Sequence, residues 1–302
     1  METWPALPLE DWSDTHATLQ LWLQIAGKIR LARSPWINHS WHATFYLTAR
    51  GLTTSPIPHD SRTFELRFDF IAHQLIVEVS DGRSARVALD ARPVSSFYAD
   101  LMAKLDSLGL GVRIHRRPNE VAEAIPFDRD QVHCAYDPEY ANRYWRILAQ
   151  SACVLTEFRS RFIGKCSPVH FFWGGPDLAV TRFSGRRAPQ HPGGIPNLPD
   201  WVTREAYSHE VSSAGFWAGG GPILYPAFYS YAYPEPPGFA SARARPDAAF
   251  FSDALREFIL PYDAVRLSPA PEATLLEFLQ STYDSAADLA QWDRLALDRP
   301  PA

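Results

Sequence analysis

The strongest constraint on the fold is an order of sequence patterns that occurs twice along the chain. Apolar residues at three- and four-residue spacing predict a helix from about Asp14 to Arg33, and segments alternating apolar with polar residues follow it. A second amphipathic stretch begins at the capping residue Asp137, carries Pro138 at its first position and runs to Gly164. Further strand-like segments come after it. This order predicts an α+β fold with antiparallel sheets and long helices.

Individual segments define the remaining elements. In "FELRFDF" the apolar side chains fall on one side, and "QLIVEV" and "ARVAL" flank the turn Asp81-Gly82 as a hairpin. Pro93 opens a helix that Gly109 ends. In the second half, "VHFFW", "LAVTRF", "EAYSHEVSS" and "AFYSYAYP" are predicted strands, and a last helix covers about 273–289.

The shared order divides the chain into two units. Residues 1–118 form an N-terminal α+β half, and residues 119–302 form a C-terminal α+β half that contains the candidate site. Both run from a helix through several antiparallel strands to another helix, which predicts an internal duplication that has diverged. We expect the halves to pack as one globular unit.

Composition restricts the functional class. A net charge of −5 and the lack of a block of Lys and Arg argue against a nucleic-acid partner. No stretch of about 18 apolar residues predicts a membrane span, and no basic segment followed by an apolar one opens the chain. Three widely spaced cysteines indicate neither a disulfide framework nor a zinc motif. Only three of the 29 basic residues are lysines, a bias typical of GC-rich bacterial genomes. We therefore expect a cytoplasmic bacterial protein.

Three long motifs in the order "NHSWHATFYLTARGLTTSPIP", "FIGKCSPVHFFWGGPDLAVTRFSG" and "EAYSHEVSSAGFW" carry a resemblance to a known family. The chain resembles a bacterial family catalogued as domain of unknown function 5996, over nearly its whole length. The resemblance implies that the chain is one conserved unit. It implies no catalytic residues, so the functional argument depends on the residues themselves.

Histidines are the first candidates for chemistry. If "EAYSHEVSS" is a regular strand, Glu205 and His209 share one face and Glu210 lies on the other. His170 begins another predicted strand. Two histidines and a carboxylate brought together from different strands would suit iron, zinc or manganese.

The predicted metal set, from which such a site would be drawn, is His170, His209, Glu205, His42 and His39. The alternatives are that His170 and His209 act as general acid and base without a metal, or that they only order the core.

Cys166 is a candidate nucleophile, because it lies next to Lys165 and near histidines. A helix that ends at Gly164 would place its negative end beside this thiol and raise the thiol pKa. A buried cysteine that acts as a small hydrophobic core residue is the competing interpretation.

The second half also concentrates aromatic residues, which predicts a pocket. Alternation places Tyr229, Tyr231 and Tyr233 on one strand face, and burying three phenols without partners is costly, so that face is wet or lines a polar cavity. Arg182 is predicted to hold an anionic group of the ligand. The predicted ligand-binding residues are Trp173, Arg182, Tyr229, Tyr231 and Trp217.

These patterns predict an enzyme that acts on a small organic molecule in an aromatic-lined pocket. His170, His209, Glu210 and Cys166 are its candidate catalytic residues, and Glu205 or Asp177 could also supply a carboxylate. The alternative is a noncatalytic protein that binds a small ligand or forms a homodimer, so a homo-oligomer is compatible with either function. In that case the histidines have a structural role.

Overall fold

The computed structural model describes residues 2–300, which form helices and two antiparallel sheets and so confirm the α+β class. The helices are α1 (Ser13–Arg33), α2 (Val94–Ser107), α3 (Pro138–Ser160), α4 (Asp200–Ala206), α5 (Tyr262–Arg266), α6 (Pro271–Leu289) and α7 (Arg294–Leu297). None of these helices of residues 2–300 is long and apolar enough to span a membrane.

Twelve strands are present in the described residues. They are β1 (Tyr46–Thr48), β2 (Gly51–Thr53), β3 (Ile57–His59), β4 (Arg62–Asp69), β5 (Gln74–Val79), β6 (Ser84–Ala88), β7 (His170–Phe172), β8 (Asp177–Arg187), β9 (His209–Trp217), β10 (Ala227–Tyr233), β11 (Phe250–Ser252) and β12 (Glu257–Pro261). The first sheet has the order β1-β2-β4-β5-β6, with β3 paired to β4. The second has the order β11-β12-β10-β9-β8-β7.

A seam joins the two sheets. Phe45, just before β1, and Phe171 in β7 exchange two backbone hydrogen bonds of 2.8 Å each. Both side chains are fully buried, in a hydrophobic core that contains residues from both halves of the chain. The sheets therefore share an edge contact and a common core.

Helix ends follow the sequence signals in most places. The Asp137 side chain accepts hydrogen bonds from the backbone N–H groups of Glu139 and Tyr140, at 2.8 and 3.1 Å, which satisfies two amides at the start of α3. The predicted end of α3 at Gly164 is wrong, because the helix ends at Ser160. Beyond Ser160 the chain hydrogen-bonds with the C-terminal segment instead, where the Ile163 N–H donates to the Leu297 carbonyl at 2.7 Å.

The two faces of the second sheet have different surroundings. Leu178, Val180 and Phe216 point to one face, are fully buried and belong to the core that α3 and α6 cover. Strand alternation puts Asp177, Ala179 and other members of β8 on the opposite face. That face is the floor of the site.

One predicted strand is partly a helix. The segment "EAYSHEVSS" contains the end of α4, and the strand begins only at His209. The Tyr207 N–H donates to the Thr203 carbonyl at 2.9 Å, which continues the helical turn past Ala206. The alternation across residues 205–208 was therefore wrongly interpreted as a strand, because these residues complete a helix.

Candidate ligand cavity

A cavity of about 610 Å³ lies over the open face of the second sheet. Its floor comes from β7 to β10 and from β12, and its cover comes from α4 and from loops around residues 36–41, 119–120 and 195–199. Aromatic rings form much of the wall, including five of the chain's ten tryptophans: Trp36, Trp41, Trp173, Trp201 and Trp217. Its size and apolar wall suit a small organic molecule.

The floor carries a buried pair of an acid and a phenol. The Tyr229 hydroxyl donates to Asp177 Oδ2 at 2.5 Å, although the two residues lie on β10 and β8 with β9 between them. Gly215 of β9 pairs with Tyr229, and a Cβ at that position would collide with the Tyr229 hydroxyl. The missing side chain lets the phenol cross the middle strand and reach the carboxyl.

Desolvation controls the proton affinity of this pair. Burial raises the pKa of Asp177 to about 8; the Tyr229 hydrogen bond opposes the shift, and the nearby Glu120 and Glu257 add to it. Burial also raises the pKa of Glu257 to about 7. The cavity thus contains carboxyl groups that exchange protons near neutral pH.

A second polar group on the wall consists of hydroxyls. The hydroxyls of Tyr207 and Tyr231 are 2.8 Å apart, and those of Thr181 and Ser213 are 2.9 Å apart. Burial raises the pKa of Tyr207 to about 12, so this phenol is neutral near pH 7. These hydroxyls can donate to or accept from a bound molecule.

Glu120 approaches the cavity from the connection between α2 and α3. Its carboxyl packs against the backbone of Gly174, where any Cβ would collide with it. The side chain keeps considerable accessible surface, but protein surrounds it, so that surface faces the cavity. Burial accordingly raises its pKa. A side chain at position 174 would compete with the Glu120 carboxyl for this space.

A chain of hydrogen bonds holds this loop in place. The fully buried Gln24 of α1 donates from Nε2 to the Asn119 carbonyl and accepts at Oε1 from the Asn119 N–H, both at 2.8 Å. Lys28 Nζ donates to Asn119 Oδ1. The Asn119 side chain in turn donates to the Asn197 carbonyl, and Asn197 donates to the Val121 carbonyl at 2.7 Å. Helix α1 thus anchors both loops that cover the cavity.

The cover includes the short helix α4 and the loop before it, residues 188–206, which we name the lid. Trp201 of α4 stacks at a tilt on Trp36, with ring centroids 4.7 Å apart. Trp36 Nε1 also donates to Glu205 Oε1 at 2.6 Å. Asn197 and the glycines 193 and 194 have positive φ angles, so the loop turns sharply before the helix. The lid is attached by these side-chain contacts and by backbone hydrogen bonds, among them the Glu120 N–H donating to the Pro196 carbonyl at 2.9 Å.

Five residues from the predicted sets line the cavity. They are Trp173, Trp217, Tyr229, Tyr231 and His39. Asp177, which the sequence offered as an alternative source of the carboxylate, lines the cavity as well. His39 Nδ1 donates to the Ala206 carbonyl at 2.8 Å, so Nε2 is the acceptor and faces Lys165 Nζ at 3.1 Å. Burial lowers the His39 pKa. A neutral His39 therefore holds the Lys165 ammonium next to the rings of Trp41 and Phe183.

The predicted meeting of His170 and His209 is wrong. His170 pairs with Ala179, which pairs with Gly215, and His209 precedes Gly215 by six residues on β9. At a rise of ~3.3 Å per residue, that offset is about 20 Å along the strand. The His170 ring is fully buried behind the wall with both nitrogens unpartnered, and burial lowers its pKa to about 3.

The remaining members of the predicted metal set are also held by other groups. The Glu205 carboxylate accepts from Trp36, and His42 Nδ1 lies 3.1 Å from the Ile37 N–H. No three or more of the His, Cys, Asp and Glu residues within 2–300 are arranged to hold a metal ion. These residues do not fit the predicted iron, zinc or manganese site, and we derive no chemical step through a metal.

Three further predicted site residues lie outside the cavity. Arg182 is 1% exposed on the opposite face of the sheet, where its guanidinium lies 3.5 Å from the ring centre of Phe158, so it cannot meet a ligand of this cavity. Glu210 pairs with Arg186 at 2.7 Å. Cys166 is only partly buried, but desolvation raises its thiol pKa, which makes it a poor nucleophile.

The wall residues that the sequence did not identify include three with titratable side chains, Glu257, Tyr207 and Glu120. Glu257 begins the unpredicted strand β12 and shares a strand face with the buried Ile259, so an acid on an apolar strand face was an available signal. Tyr207 was assigned to a strand instead of to the end of a helix. Glu120 lies in a loop with no pattern to mark it. Only the tertiary structure brings it to Gly174.

Comparison with known proteins gives one match. The model of a family described as "Family of unknown function (DUF5996)" matches residues 4–299, nearly the whole chain. No curated protein and no solved structure matches significantly.

Proposed function

We propose that this chain, which belongs to the family of unknown function DUF5996, is an enzyme. In this proposal the protein takes a small organic molecule into the aromatic-walled cavity and exchanges a proton with it through Asp177. The observation that carries the proposal is the buried Asp177–Tyr229 pair on the cavity floor, whose carboxyl has a pKa raised to about 8. A general acid or base works best when its pKa is near the operating pH.

The proton has a defined path in this proposal. When Asp177 is protonated, its carboxyl gives the proton to a basic atom of the ligand and becomes a carboxylate that the Tyr229 hydroxyl stabilises at 2.5 Å. In the reverse direction the carboxylate takes a proton from the ligand. Glu257 has a pKa raised to about 7 and faces the same cavity. Glu257 can therefore be ionised and act as a base while Asp177 is protonated and acts as an acid.

The wall supports this chemistry by excluding water. Tryptophan, phenylalanine and tyrosine rings surround the acids, and the lid covers them. In such surroundings a charge formed on the ligand interacts strongly with the nearby carboxyls and phenols. His39 has a supporting role in the proposal, because its two ring nitrogens already bind the Ala206 carbonyl and Lys165.

The test uses the purified protein with pools of small organic metabolites, each compound followed by mass spectrometry. We expect loss of one compound class and the appearance of its product. Asp177→Asn should lower the rate by at least ~100-fold, since general acid–base catalysis contributes on that order. Asp253→Asn is the matched control, because Asp253 is exposed and lies outside the cavity.

Two results would contradict the proposal. Equal turnover by Asp177→Asn and the wild-type protein would remove Asp177 from the chemistry. Retention of a compound in equilibrium dialysis without any conversion would favour the alternative of a noncatalytic binding protein. Thr181→Trp, which should fill the cavity floor, would then abolish that retention.

A further inference from the structure

We infer that the ligand of this cavity is an organic cation, an amine or quaternary ammonium group on an apolar body, held by Glu120, Asp177 and Glu257 within the aromatic wall. This inference rests on the proposed function, and it names the class of molecule that the cavity accepts.

The charges of the cavity wall are the first argument for a cationic ligand. Three carboxyl groups line the cavity, and none of the lining residues within 2–300 is Lys or Arg. The side chains of Glu120 and Glu257 have no hydrogen-bond or ion-pair partner among the described residues, and Asp177 has only the Tyr229 hydroxyl. Carboxyl groups that protein shields from water are normally paired when they are ionised. The pairing charge is therefore expected from the ligand.

The aromatic rings of the wall are the second argument for a cationic ligand. Trp36, Trp173 and Trp217 belong to a wall that is rich in indole and phenol faces, and these faces attract cations through the quadrupole of the ring. Aromatic cages of this composition are a common way to bind quaternary ammonium groups and amines. An anionic ligand would be repelled by both the carboxyls and the ring faces.

The spread of the acids distinguishes an organic cation from a metal ion. Asp177 and Glu257 lie on strands separated by β9 and β10, and Glu120 comes from the connection between α2 and α3. No group of three acids, histidines or cysteines in residues 2–300 converges as metal ligands do. A cation that extends over several ångströms fits this spacing better than a single ion.

An independent observation also points to a ligand. Thr203 of α4 lines the cavity and is 2% exposed, and its hydroxyl has no hydrogen-bond partner among the described residues. A buried hydroxyl without a partner is costly, and a ligand donor or acceptor would satisfy it. An N–H group of a bound amine is such a donor.

The test compares three probes with the same indole body and different charge. Tryptamine is a cation, tryptophol is neutral and indole-3-acetate is an anion, and each is titrated into the full-length protein by calorimetry. We expect tryptamine to bind at least about tenfold more tightly than tryptophol, and indole-3-acetate to bind most weakly. Tryptamine affinity should rise about tenfold per pH unit from pH 6 towards 8, because binding requires Asp177 to lose its proton, whereas tryptophol affinity should stay flat.

Charge-removing variants localise the effect. Glu120→Gln, Asp177→Asn and Glu257→Gln should each weaken tryptamine about tenfold and change tryptophol less than about twofold. Glu123→Gln is the matched control, since Glu123 is exposed on the same loop as Glu120 and does not line the cavity.

Each alternative outcome has a definite meaning. Equal affinity for tryptamine and tryptophol, tighter binding of indole-3-acetate, or no binding of tryptamine would overturn the inference of a cationic ligand. Tight binding of tryptophol at the cavity would leave the proposed function standing while the charge inference fails. The metabolite screen tests the proposed function separately.

Discussion

At the scale of single residues, burial determines how the acids and the histidines titrate. Asp177 and Glu257 have pKa values raised to about 8 and about 7, while in the unfolded chain carboxyls titrate near ~4. The folded state binds their protons more tightly, so their contribution to stability is full below about pH 4 and is lost as the pH rises through 7 and 8. His170 acts in the opposite direction. Its pKa, lowered to about 3, makes stability fall as the pH drops below about 6.5.

The raised pKa of Asp177 gives a prediction for the pH dependence of stability in Asp177→Asn. At pH 5 the wild-type carboxyl is protonated and resembles the amide, so the two melting temperatures should agree closely. At pH 9 the wild-type protein contains a buried carboxylate and the variant does not, so the variant should melt at the higher temperature. Calorimetric melting at both pH values checks it.

Asp253→Asn serves as the control, because the Asp253 side chain is exposed and its removal should give no trend with pH. A variant that is less stable than the wild-type protein at pH 9 would contradict the raised pKa of Asp177.

At the scale of elements, the lid helix α4 packs little of its surface against the protein, since Thr203 is its one buried residue. Helix α4 has only seven residues, and its first turn is held by the Gly194 N–H donating to Asp200 at 3.0 Å. Trp36 contacts both ends of α4, through Trp201 in its first turn and Glu205 near its last residue. Short helices with few packed side chains open more readily than long buried ones.

Trp36→Ala is therefore expected to loosen the lid without unfolding the protein. Backbone amides in residues 188–206 should exchange hydrogen at least ~10-fold faster, while those in α3 keep the wild-type rate. Hydrogen exchange followed by mass spectrometry measures both regions in one experiment.

Trp4→Ala is a control of similar size, since Trp4 is buried far from the lid against Tyr262. Equal acceleration in the lid by both variants would mean that Trp36 has no specific role in closing the cavity.

The elements also show which features a sequence can predict. Helices α1, α2, α3 and α6 were predicted within a few residues, because apolar periodicity and caps such as Asp137 are local signals. The tyrosines on β10 were assigned to one face for the same reason. The cavity acids were harder to predict, because Glu120 reaches Gly174 only through the tertiary fold, and the distance between His170 and His209 depends on strand register.

At the scale of the whole molecule, the cavity combines parts from both ends of the chain. Its floor is the second sheet, but Trp36, Trp41 and Glu120 come from the first 120 residues. Helix α1 supports the floor as well, because Gln20 Nε2 donates to the Gly174 carbonyl at 2.6 Å. The proposed division at residue 118 and the proposed internal duplication must therefore allow for extensive contact between the halves.

This contact predicts a single cooperative unfolding transition. In urea, tryptophan fluorescence and far-ultraviolet circular dichroism should give the same midpoint, because one core contains residues of both sheets. The separately expressed segments 1–118 and 119–302 should not fold. Two distinct midpoints, or a folded isolated half, would show that the halves are independent.

The seam between Phe45 and Phe171 has a consequence for how such a protein can change over generations. Here one half provides the base of a shared cavity and the other provides part of its cover, and the seam fixes their relative position. Fission of the gene, or exchange of one half with another protein, would destroy the cavity, so the two halves must be inherited together.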